Sequence, residues 1–430
     1  MSRFSGFLSL ACLVTGAAAA TVFDFAELGG VTDDDSSIAE WRNGGLVNDT
    51  LARMQPGDTL LFPEGTFYVM GGITATGLSD ITIQIEGMLV FSNKTHEWPR
   101  DESGDVYECI HFYNFTNVVF TSSNVGTLNG NGHRWWGLPG IGYLHYTENR
   151  PRLFNVENSK NILVENIYFL DSPYWTFYVH GVDGLEVRHS EISARRTDFE
   201  NHTLVDMTAF NTDGFDVTGR NVWIHDCKIW CQDDTIAVKD NSENMLFERI
   251  NASGVGLTIG SIGSSTVRNI TFRDSVMQNS YKGIYMKFRD GDGGLIADVT
   301  FSNITINNPS QWPIWIGPAQ QSDSRRLCAA HPCSICWPQL PGSECNAPLS
   351  QYQNILLKDI TINNPKMSPG VIMGNTSTPM KGVVFENVVV NNPGMDQWGD
   401  DYYYCEGVEG GVATGTTWPV PPCFEDRTNK

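Results

Sequence analysis

The sequence has 430 residues and a formal net charge of −21; 41% of its residues are hydrophobic and 18% are charged. Its length allows two or three domains or one elongated repeat, and its apolar content suffices for an extensive core. The negative charge argues against nucleic acid and anionic membranes as partners, because both need an extensive positive surface.

The first 20 residues have the pattern of a secretory signal peptide: a basic residue, an apolar run and a small-residue cleavage site at 18–20 (Ala-Ala-Ala). The mature chain is then expected to begin near Thr21. No later segment approaches the roughly 18 consecutive apolar residues of a membrane span. We therefore expect a protein secreted to the extracellular space without a membrane anchor.

Eight glycosylation sequons agree with that route, at Asn48, Asn93, Asn114, Asn201, Asn251, Asn269, Asn303 and Asn375.

Ten cysteines are present, and Cys12 lies inside the predicted signal peptide. Of the remaining nine, at least one must stay unpaired if every disulfide is internal. Four fall between residues 309 and 351, where Cys333 and Cys336 follow a histidine. That spacing also occurs in zinc sites, but an oxidising compartment favours disulfides, so we expect no metal site.

A cap helix is predicted near the N-terminus. The acidic and serine-containing segment 33–37 can cap a helix that runs through Ile38 and Trp41. Such a helix would cover the strand edges at the first end of a sheet assembly.

Beyond about Val118 one short pattern recurs: an Asn or small residue, an alternating β-rich run, a polar pair and a second β-rich run. Copies begin at Asn221, Asn244, Asn269 and Asp298, which are 23, 25 and 29 residues apart. A period in this range is typical of a solenoid, and short alternating strands favour stacked parallel sheets. The predicted fold is all-β, a single-stranded right-handed parallel β-helix with an N-terminal cap helix. The recurrent Asn side chains should bond to each other between coils.

The predicted boundaries follow from this repeat. A signal peptide at 1–20 precedes the parallel β-helix at 21–395, which carries the chemistry. A Cys-rich insertion at 309–351 interrupts the period; a loop of this length is either functional or disordered, and four cysteines favour an ordered one. Residues 396–430, after the last repeat, are expected to cover the second end of the sheets.

Acidic residues concentrate in two adjacent repeats, at Asp213 and Asp216 and again at Asp233 and Asp234. Asp213 and Asp233 are 20 residues apart, close to one repeat, so stacking places them on neighbouring coils. Hydrolysis of a glycosidic bond needs one carboxylic acid to protonate the leaving oxygen and one carboxylate to activate water or attack carbon. Crowding raises the pKa of at least one carboxyl group and keeps a proton available. Asp213, Asp233 and Asp234 are therefore the candidate catalytic residues of a glycosidase.

Several motifs resemble one known family, glycoside hydrolase family 28, which contains polygalacturonases and rhamnogalacturonan hydrolases. They are 211–214 (Asn-Thr-Asp-Gly), 232–234 (Gln-Asp-Asp), 256–261 (Gly-Leu-Thr-Ile-Gly-Ser) and the segment around Lys287. The matches extend over roughly 23–395 in the family's order. The resemblance implies a pectin-degrading glycosidase on a pectin lyase-like solenoid.

The same resemblance implies roles for single residues. Asp233 would be the general acid, while Asp213 and Asp234 would hold and deprotonate the nucleophilic water. Asn211 and Gln232, in the same motifs, would bind substrate. The reaction would invert the anomeric carbon without a covalent intermediate, which calls for carboxyl groups about 6.5–9.5 Å apart so that water fits between them.

Two departures from the family bear on the substrate. Polygalacturonases carry a Gly-His-Gly motif where this chain has Val255 between glycines, and an Arg-Ile-Lys motif where it has Tyr285, Met286 and Lys287. No other histidine obviously replaces the missing one. In the family the arginine and lysine bind a galacturonate carboxylate, for which a planar guanidinium is well shaped. Both departures replace charge with apolar surface, which suits a methyl-bearing sugar such as rhamnose.

We therefore predict rhamnose-directed hydrolysis, of the α-L-rhamnosidase or exo-rhamnogalacturonan hydrolase type, over plain cleavage of α-1,4-galacturonan. The alternative is a polygalacturonase in which Val255 and Met286 face the core and Lys287 with Arg289 binds a uronate; Tyr285 then stands near the same sugar.

Two other classes stay open: a β-helix polysaccharide lyase, which would use calcium, and a non-catalytic carbohydrate-binding protein. For the hydrolase we expect a pectic polysaccharide or oligosaccharide as partner, no cofactor, and a monomer. The 309–351 insertion hints at exo attack.

Overall fold

The computed structural model describes residues 20–137, 149–323, 326 and 328–429. Apart from Ala20, the predicted signal peptide lies outside the described residues. In the described part there are one α-helix, 31 strands and three short 3-10 turns, at Gly132–Arg134, Asp206–Ala209 and Gly399–Asp401. No helix in these ranges is long and apolar enough to cross a bilayer.

Strands separated by tight turns make up nearly the whole described chain. In chain order the elements are β1 (Val22–Asp24), α1 (Ser37–Leu51), β2 (Thr59–Phe62), β3 (Thr66–Val69), β4 (Ile73–Thr76), β5 (Thr82–Ile85), β6 (Met88–Phe91), β7 (Ile110–Tyr113), β8 (Thr116–Thr121), β9 (Gly126–Asn129), β10 (Phe154–Glu157), β11 (Lys160–Glu165), β12 (Ile167–Leu170), β13 (Phe177–Arg188), β14 (Glu191–Ser193), β15 (Phe215–Trp230), β16 (Ile236–Val238), β17 (Glu243–Ser253), β18 (Leu257–Ile262), β19 (Thr266–Gln278), β20 (Ile284–Phe288), β21 (Leu295–Asn307), β22 (Ile314–Pro318), β23 (Gln320–Gln321), β24 (Cys333–Ser334), β25 (Gln351–Asn363), β26 (Gly370–Met373), β27 (Met380–Asn391), β28 (Tyr403–Glu406), β29 (Val408–Glu409), β30 (Val412–Gly415) and β31 (Glu425–Thr428).

These strands stack into three parallel sheets along one axis. The first sheet begins with β1, β2, β5, β8 and β11, and the second with β3, β6, β9, β12 and β14. The third runs through β4, β7, β10, β13, β15, β16, β18, β20, β22, β26 and β28. Long strands such as β15 continue from one sheet into the next. The predicted parallel β-helix is confirmed.

The register between coils reproduces the period seen in the sequence. Val222 pairs with Met245, Met245 with Ile270, and Ile270 with Val299, each one coil further along the axis. These are the residues that follow each predicted coil start. Spacing alone therefore identified which residues lie above one another.

The interior of the coils is apolar, because every second strand residue points inward. Equivalent positions repeat the same side chain: the ring centroids of Phe247 and Phe272 are 4.6 Å apart, and those of Phe272 and Phe301 are 4.8 Å apart. All three rings are fully buried. Stacked aromatic ladders of this kind bury a large area and fix the register of adjacent coils.

Asparagine ladders hold the turns between strands, as expected from their recurrence. Asn392 donates to Asn364 over 2.9 Å, Asn364 to Asn308 over 3.2 Å, and Asn308 to Asn279 over 3.1 Å. Their φ angles lie between 50° and 52°, the left-handed region that Asn tolerates better than most residues.

The two ends of the solenoid differ in structure. The Ser36 hydroxyl caps α1 by accepting the Ala39 N–H over 3.3 Å, and the buried Asn43 amide donates to the carbonyls of Val31 and Tyr68 over 2.8 Å each. This confirms the N-terminal cap helix. At the other end β28 to β31 continue the sheets, and a disulfide joins Cys405 of β28 to Cys423, just before β31.

The Cys-rich insertion is shorter than predicted. Residues 314–318 form β22, in register with β20 and β26, because their apolar alternation suits the sheet. The departure from the solenoid therefore lies between β22 and β25. Two disulfides crosslink it, Cys328–Cys336 and Cys333–Cys345, so the cysteines pair with each other as expected. Cys109, Cys227 and Cys231 are unpaired and buried.

The sequon asparagines differ in exposure. Asn48 and Asn375 are part-buried, and their amides donate to the carbonyls of Gly72 and Ala347. Glycosylation is therefore a stronger prediction at the six exposed positions, Asn93, Asn114, Asn201, Asn251, Asn269 and Asn303.

Candidate active site

The three candidate aspartates lie on turns that enter the third sheet. Asp213 precedes β15, and Asp233 with Asp234 precedes β16 on the next coil. The Gly214 N–H donates to the Asp234 carbonyl over 2.9 Å, which holds the two turns against each other. Glycine is required there, because a Cβ would lie 2.3 Å from the Thr235 carbonyl oxygen. The structure thus brings together the residues whose spacing predicted a shared site.

The three carboxylates form one compact cluster. One oxygen from each of Asp213, Asp233 and Asp234 lies within 4.8 Å of the others. Asp213 and Asp234 are only 3% and 2% exposed, whereas Asp233 is part-buried. Between their closest oxygens the groups are nearer than the 6.5–9.5 Å expected for an inverting pair. A reacting water would therefore be held against the carboxylates rather than in a wide gap between them.

Asp234 is anchored by two donors from later coils. The Thr258 hydroxyl donates to its Oδ1 over 2.8 Å, and the Lys287 ammonium lies 2.8 Å from its Oδ2. Arg289, which was predicted to bind substrate together with Lys287, donates to Asp240 over 2.6 Å and to the Ser261 carbonyl. Lys287 thus reaches the cluster, and Arg289 is engaged with partners outside it.

Asn211 orients Asp233. Its side-chain N–H donates to Asp233 Oδ2 over 3.0 Å, while its own oxygen lies 3.5 Å from the Arg150 guanidinium. Arg150 is 4% exposed and donates to the carbonyls of Pro173 and Phe210 over 2.9 Å each. The arginine fixes the turn, and the turn fixes the carboxylate.

Burial sets the protonation of the cluster. It raises the pKa of the Asp213 carboxyl well above its usual range, and the charges of Asp216 and Asp233 raise it further. Asp213 Oδ1 accepts no hydrogen bond from any described residue. Burial also raises the pKa of Asp233, with the charge of Asp234 as the next cause. The cluster therefore keeps a proton at a pH where an isolated aspartate has lost it.

An ion pair lies directly beneath the cluster. Asp216 is fully buried, and its Oδ1 is 2.8 Å from the Lys239 ammonium. Burial alone would lower the pKa of Lys239, but the charges of Asp216, Asp213 and Asp234 outweigh burial and raise it. Lys239 therefore stays charged and balances part of the negative charge. Its role was not apparent from the sequence, where no motif marks it.

Gln232 forms a hydrogen bond with His202, a residue that the sequence analysis did not identify. The Gln232 amide oxygen lies 2.8 Å from His202 Nδ1, and His202 Nε2 lies 2.8 Å from the Ser253 hydroxyl. The His202 ring is 4.9 Å from that of Trp230 and 4.7 Å from that of Tyr281. Burial lowers its pKa, so the ring is neutral and joins the Asp233 turn to the next turn. Gln232 is thus a scaffold contact of the site.

The loop that delivers His202 has its own anchor. The Asp206 carboxylate accepts backbone N–H bonds from Arg196, Thr197 and Thr203 over 2.9, 2.8 and 3.1 Å. It also accepts from both threonine hydroxyls. The position of His202 is therefore defined by a fully bonded buried group.

Val255 and Tyr285 pack beside the cluster, and of the two only Val255 is part-exposed. The Val255 N–H donates to the Asp233 carbonyl over 2.8 Å, and its side chain packs against an aromatic cluster that contains Tyr285. Tyr285 is 2% exposed, and its hydroxyl accepts the Gln320 N–H over 3.1 Å. The two departures from the family pattern are thus adjacent in space.

The insertion covers one end of this surface. Tyr285, Trp315, Val371 and Tyr404 are register partners on the outer face of the third sheet, and the insertion residue Trp337 packs over them. Trp315 is fully buried, so packing is its role. Toward the earlier coils the side chains Trp175, Tyr178 and Lys239 remain part-exposed. The surface around the aspartates is therefore open on one side and closed on the other.

Asp213, Asp233 and Asp234 also offer the oxygen atoms that a metal ion would need. The Lys287 and Lys239 ammonium groups already supply positive charge to this cluster. The donor set therefore fits acid and base chemistry without a metal.

Comparisons with known proteins agree with this arrangement. The model of the family described as Glycosyl hydrolases family 28 matches residues 58–414. A probable exopolygalacturonase B from Aspergillus fumigatus is 26% identical over 381 residues, which cover 84% of this chain and 78% of that protein. A solved exopolygalacturonase from Thermotoga maritima superposes with a TM-score of 0.66 at 18% identity, over 95% of this chain and 91% of its own. An endo-xylogalacturonan hydrolase from Aspergillus tubingensis gives 0.65 at 20% identity, over 95% and 100%. Both structures share the fold.

Proposed function

Because this chain belongs to glycoside hydrolase family 28, we propose that its aspartate cluster hydrolyses a glycosidic bond of a pectic polysaccharide or oligosaccharide with inversion. The observation that carries the proposal is the convergence of Asp213, Asp233 and Asp234 within 4.8 Å. Burial and mutual repulsion keep a proton on this cluster, while Lys287 holds Asp234 by an ion pair. One site thereby supplies both an acid and a base.

In the proposed mechanism Asp233 gives its proton to the leaving oxygen as the bond to the anomeric carbon breaks. Asp213 and Asp234 hold a water whose oxygen bonds to that carbon, and the cluster takes up the proton that the water loses. Each turnover therefore returns the cluster to its starting proton count. Asn211 aims Asp233, and Thr258 with Lys287 aims Asp234.

Attack at a chain end is the proposed mode of action. The insertion packs over Tyr285 and Trp315 on the outer face of the third sheet, and this blocks the path of a long chain past the cluster on that side. The names of several relatives, including the exopolygalacturonase B described above, are consistent with this mode. An enzyme of this kind releases short products of constant length from the start of the reaction.

Rhamnose-directed hydrolysis is the second candidate. Val255 and Tyr285 stand where the family has a histidine and an arginine; Val255 offers part-exposed apolar surface, and Tyr285 packs against it. Such a surface favours a sugar with a methyl group over one with a carboxylate. We place galacturonan cleavage, the alternative in the sequence analysis, ahead of the rhamnose-directed hydrolysis predicted there, because Lys282 and Lys287 both lie against the ring of Tyr285.

One experiment separates these candidates. The protein is incubated with polygalacturonate, rhamnogalacturonan and an aryl α-L-rhamnoside, and the released sugars are identified by mass spectrometry while NMR follows the anomeric proton. We expect a short acidic product whose new reducing end first appears as the inverted anomer. Release of rhamnose alone would select the second candidate, and first release of the retained anomer would contradict the mechanism.

The same assay tests the lyase and the non-catalytic alternatives. A lyase product absorbs in the ultraviolet and its formation stops on chelation, whereas hydrolysis gives neither effect. A binding protein gives no product on any of these substrates. Family membership supports hydrolysis over both.

We further propose an extracellular monomer in which a signal peptide at 1–20 precedes a single parallel β-helix. The three disulfides suit an oxidising compartment. Mass measurement of the purified secreted protein by light scattering and mass spectrometry tests the monomer, the mature N-terminus and the glycans together.

A further inference from the structure

Lys282 is a buried cation that the sequence motifs do not mark. Its side chain is 4% exposed, so Lys282 is about as buried as the candidate catalytic residues Asp213 and Asp234. Its ammonium donates to the neutral Gln311 side chain over 2.7 Å. Among the described residues it forms no ion pair with a carboxylate, whereas the neighbouring Lys287 pairs with Asp234.

The position of Lys282 ties it to the cluster. It opens the turn before β20, and its N–H donates to the Val255 carbonyl over 2.8 Å. Its ammonium lies 4.8 Å from the ring centroid of Tyr285, while that of Lys287 lies 4.2 Å from the same ring. A second ring, that of Trp315, is 5.4 Å from Lys282. Two cations thus share one tyrosine ring beside the aspartates.

A buried ammonium with one neutral acceptor is unfavourable unless something compensates it. Aromatic faces offset part of this cost, since each attracts a cation through its quadrupole. A lysine ammonium has three donors, and Gln311 accepts one. The remaining hydrogen-bonding capacity and the unpaired charge both call for an anionic acceptor.

We propose that Lys282 binds the carboxylate of a uronate residue of the substrate, in a subsite beside the part-exposed Val255. The proposal rests on the hydrolase function proposed above and adds the sugar class for this subsite. The positive charge that the family places at the position of Tyr285 is then supplied from Lys282, beside the ring of that tyrosine. Val255 lines the subsite, the rings of Tyr285 and Trp315 pack against the Lys282 ammonium, and the lysine determines the charge preference.

The test compares acidic and neutral versions of one substrate. Trigalacturonate and its methyl ester are assayed with the wild type, Lys282→Met, and a control, Lys381→Met, which removes a half-exposed lysine from β27. We expect Lys282→Met to lower kcat/KM on trigalacturonate at least 30-fold, mainly through KM, and on the ester less than threefold. Lys381→Met should match the wild type on both.

Lys282→Arg and a binding experiment guard against a folding defect. The arginine variant keeps the charge and should retain a preference for the acid over the ester. Burial lowers the pKa of Lys282 to about 7, so binding of trigalacturonate at pH 7.5 should take up a proton, which calorimetry in two buffers measures. Lys282→Met should abolish this uptake.

The outcomes separate the two levels of the proposal. An equal loss of activity on acid and ester, or a wild type without preference between them, overturns the role of Lys282 and leaves the hydrolase intact. A wild type that neither binds nor cleaves any pectic substrate overturns both.

Discussion

At the scale of single residues, the proposed mechanism assigns proton transfer to some side chains and positioning to others. Burial raises the pKa values of both Asp213 and Asp233. These pKa values alone do not distinguish the acid; in the proposed mechanism it is Asp233, which accepts a 3.0 Å hydrogen bond from Asn211. His202 and Gln232 do not contact the carboxylates of the cluster in this arrangement; they hold the turn that carries Asp233.

Asp233→Asn should lower kcat on a pectic oligosaccharide by about 10²–10⁴-fold, because the leaving oxygen then departs without a proton. On an aryl glycoside of the accepted sugar the loss should be much smaller, since an aryl oxide leaves without protonation. Asp213→Asn should slow both substrates alike. Steady-state rates on the two substrates provide the comparison, and the reverse pattern would assign the acid role to Asp213.

His202→Ala should lower kcat roughly tenfold with little change in KM, because it leaves Gln232 and Ser253 without their partner and loosens the Asp233 turn. Since burial keeps the ring neutral, the pH profile should keep its shape. His202→Gln, which still donates and accepts, should recover part of the rate. The control is His96→Ala at an exposed side chain, and a shifted pH optimum in His202→Ala would indicate proton transfer instead.

At the scale of elements, strands and turns were predictable where neighbouring coils repeat one another. Asp213 and Asp233 could be placed together because Phe215 and Ile236, which follow them, pair across one coil. His202 could not, since it bonds residues 30 and 51 positions away from a loop outside the repeat. Lys282 lacks any motif, and its significance depends on an aromatic cluster partly supplied by the insertion. β22 was wrongly assigned to the insertion, because the repeat pattern could not be followed beyond residue 309.

The insertion's disulfide provides a prediction at this scale. Replacing Cys333 and Cys345 by alanine should lower the free energy of unfolding by about 2–4 kcal/mol and loosen the cover over Tyr285 and Trp315. Products of mixed length should then appear early in the digestion of a long substrate. Removing Cys405–Cys423 in the same way should lower stability but leave the product pattern unchanged. Chromatographic product profiles measure this, and an unchanged pattern in the first variant would contradict chain-end attack.

At the scale of the whole molecule, the buried carboxyls make stability depend on pH. Asp213, Asp216 and Asp233 have raised pKa values, chiefly through burial. Between their usual value of 3.8 and these raised values, the folded state binds more protons than the unfolded state. The free energy of unfolding therefore falls as pH rises through this interval. His202 and Lys282, whose pKa values burial lowers, work in the opposite direction, whereas Glu108, whose pKa burial raises, adds to the effect of the three aspartates.

We expect a higher unfolding midpoint at pH 4.5 than at pH 7.5 in calorimetric scans. The Asp226 carboxyl, whose pKa is lowered by its bonds to Arg249 and His225, exerts its effect below this range and does not disturb the comparison. Asp213→Asn should reduce the difference between the two midpoints, because it removes one of the raised groups. A midpoint that rises with pH across this interval would contradict the assignment.

The three unpaired thiols of the described residues affect how the protein is inactivated by heat. In the folded state burial raises the pKa of Cys227 to about 12, and those of Cys109 and Cys231 are also raised. Once the solenoid opens, these thiols ionise near pH 8.5 and can attack the three disulfides. Scrambled pairings then accumulate, so heat inactivation at neutral pH is irreversible and its half-life follows the unfolding rate. In acid, where thiolates are scarce, the same chain should refold after heating.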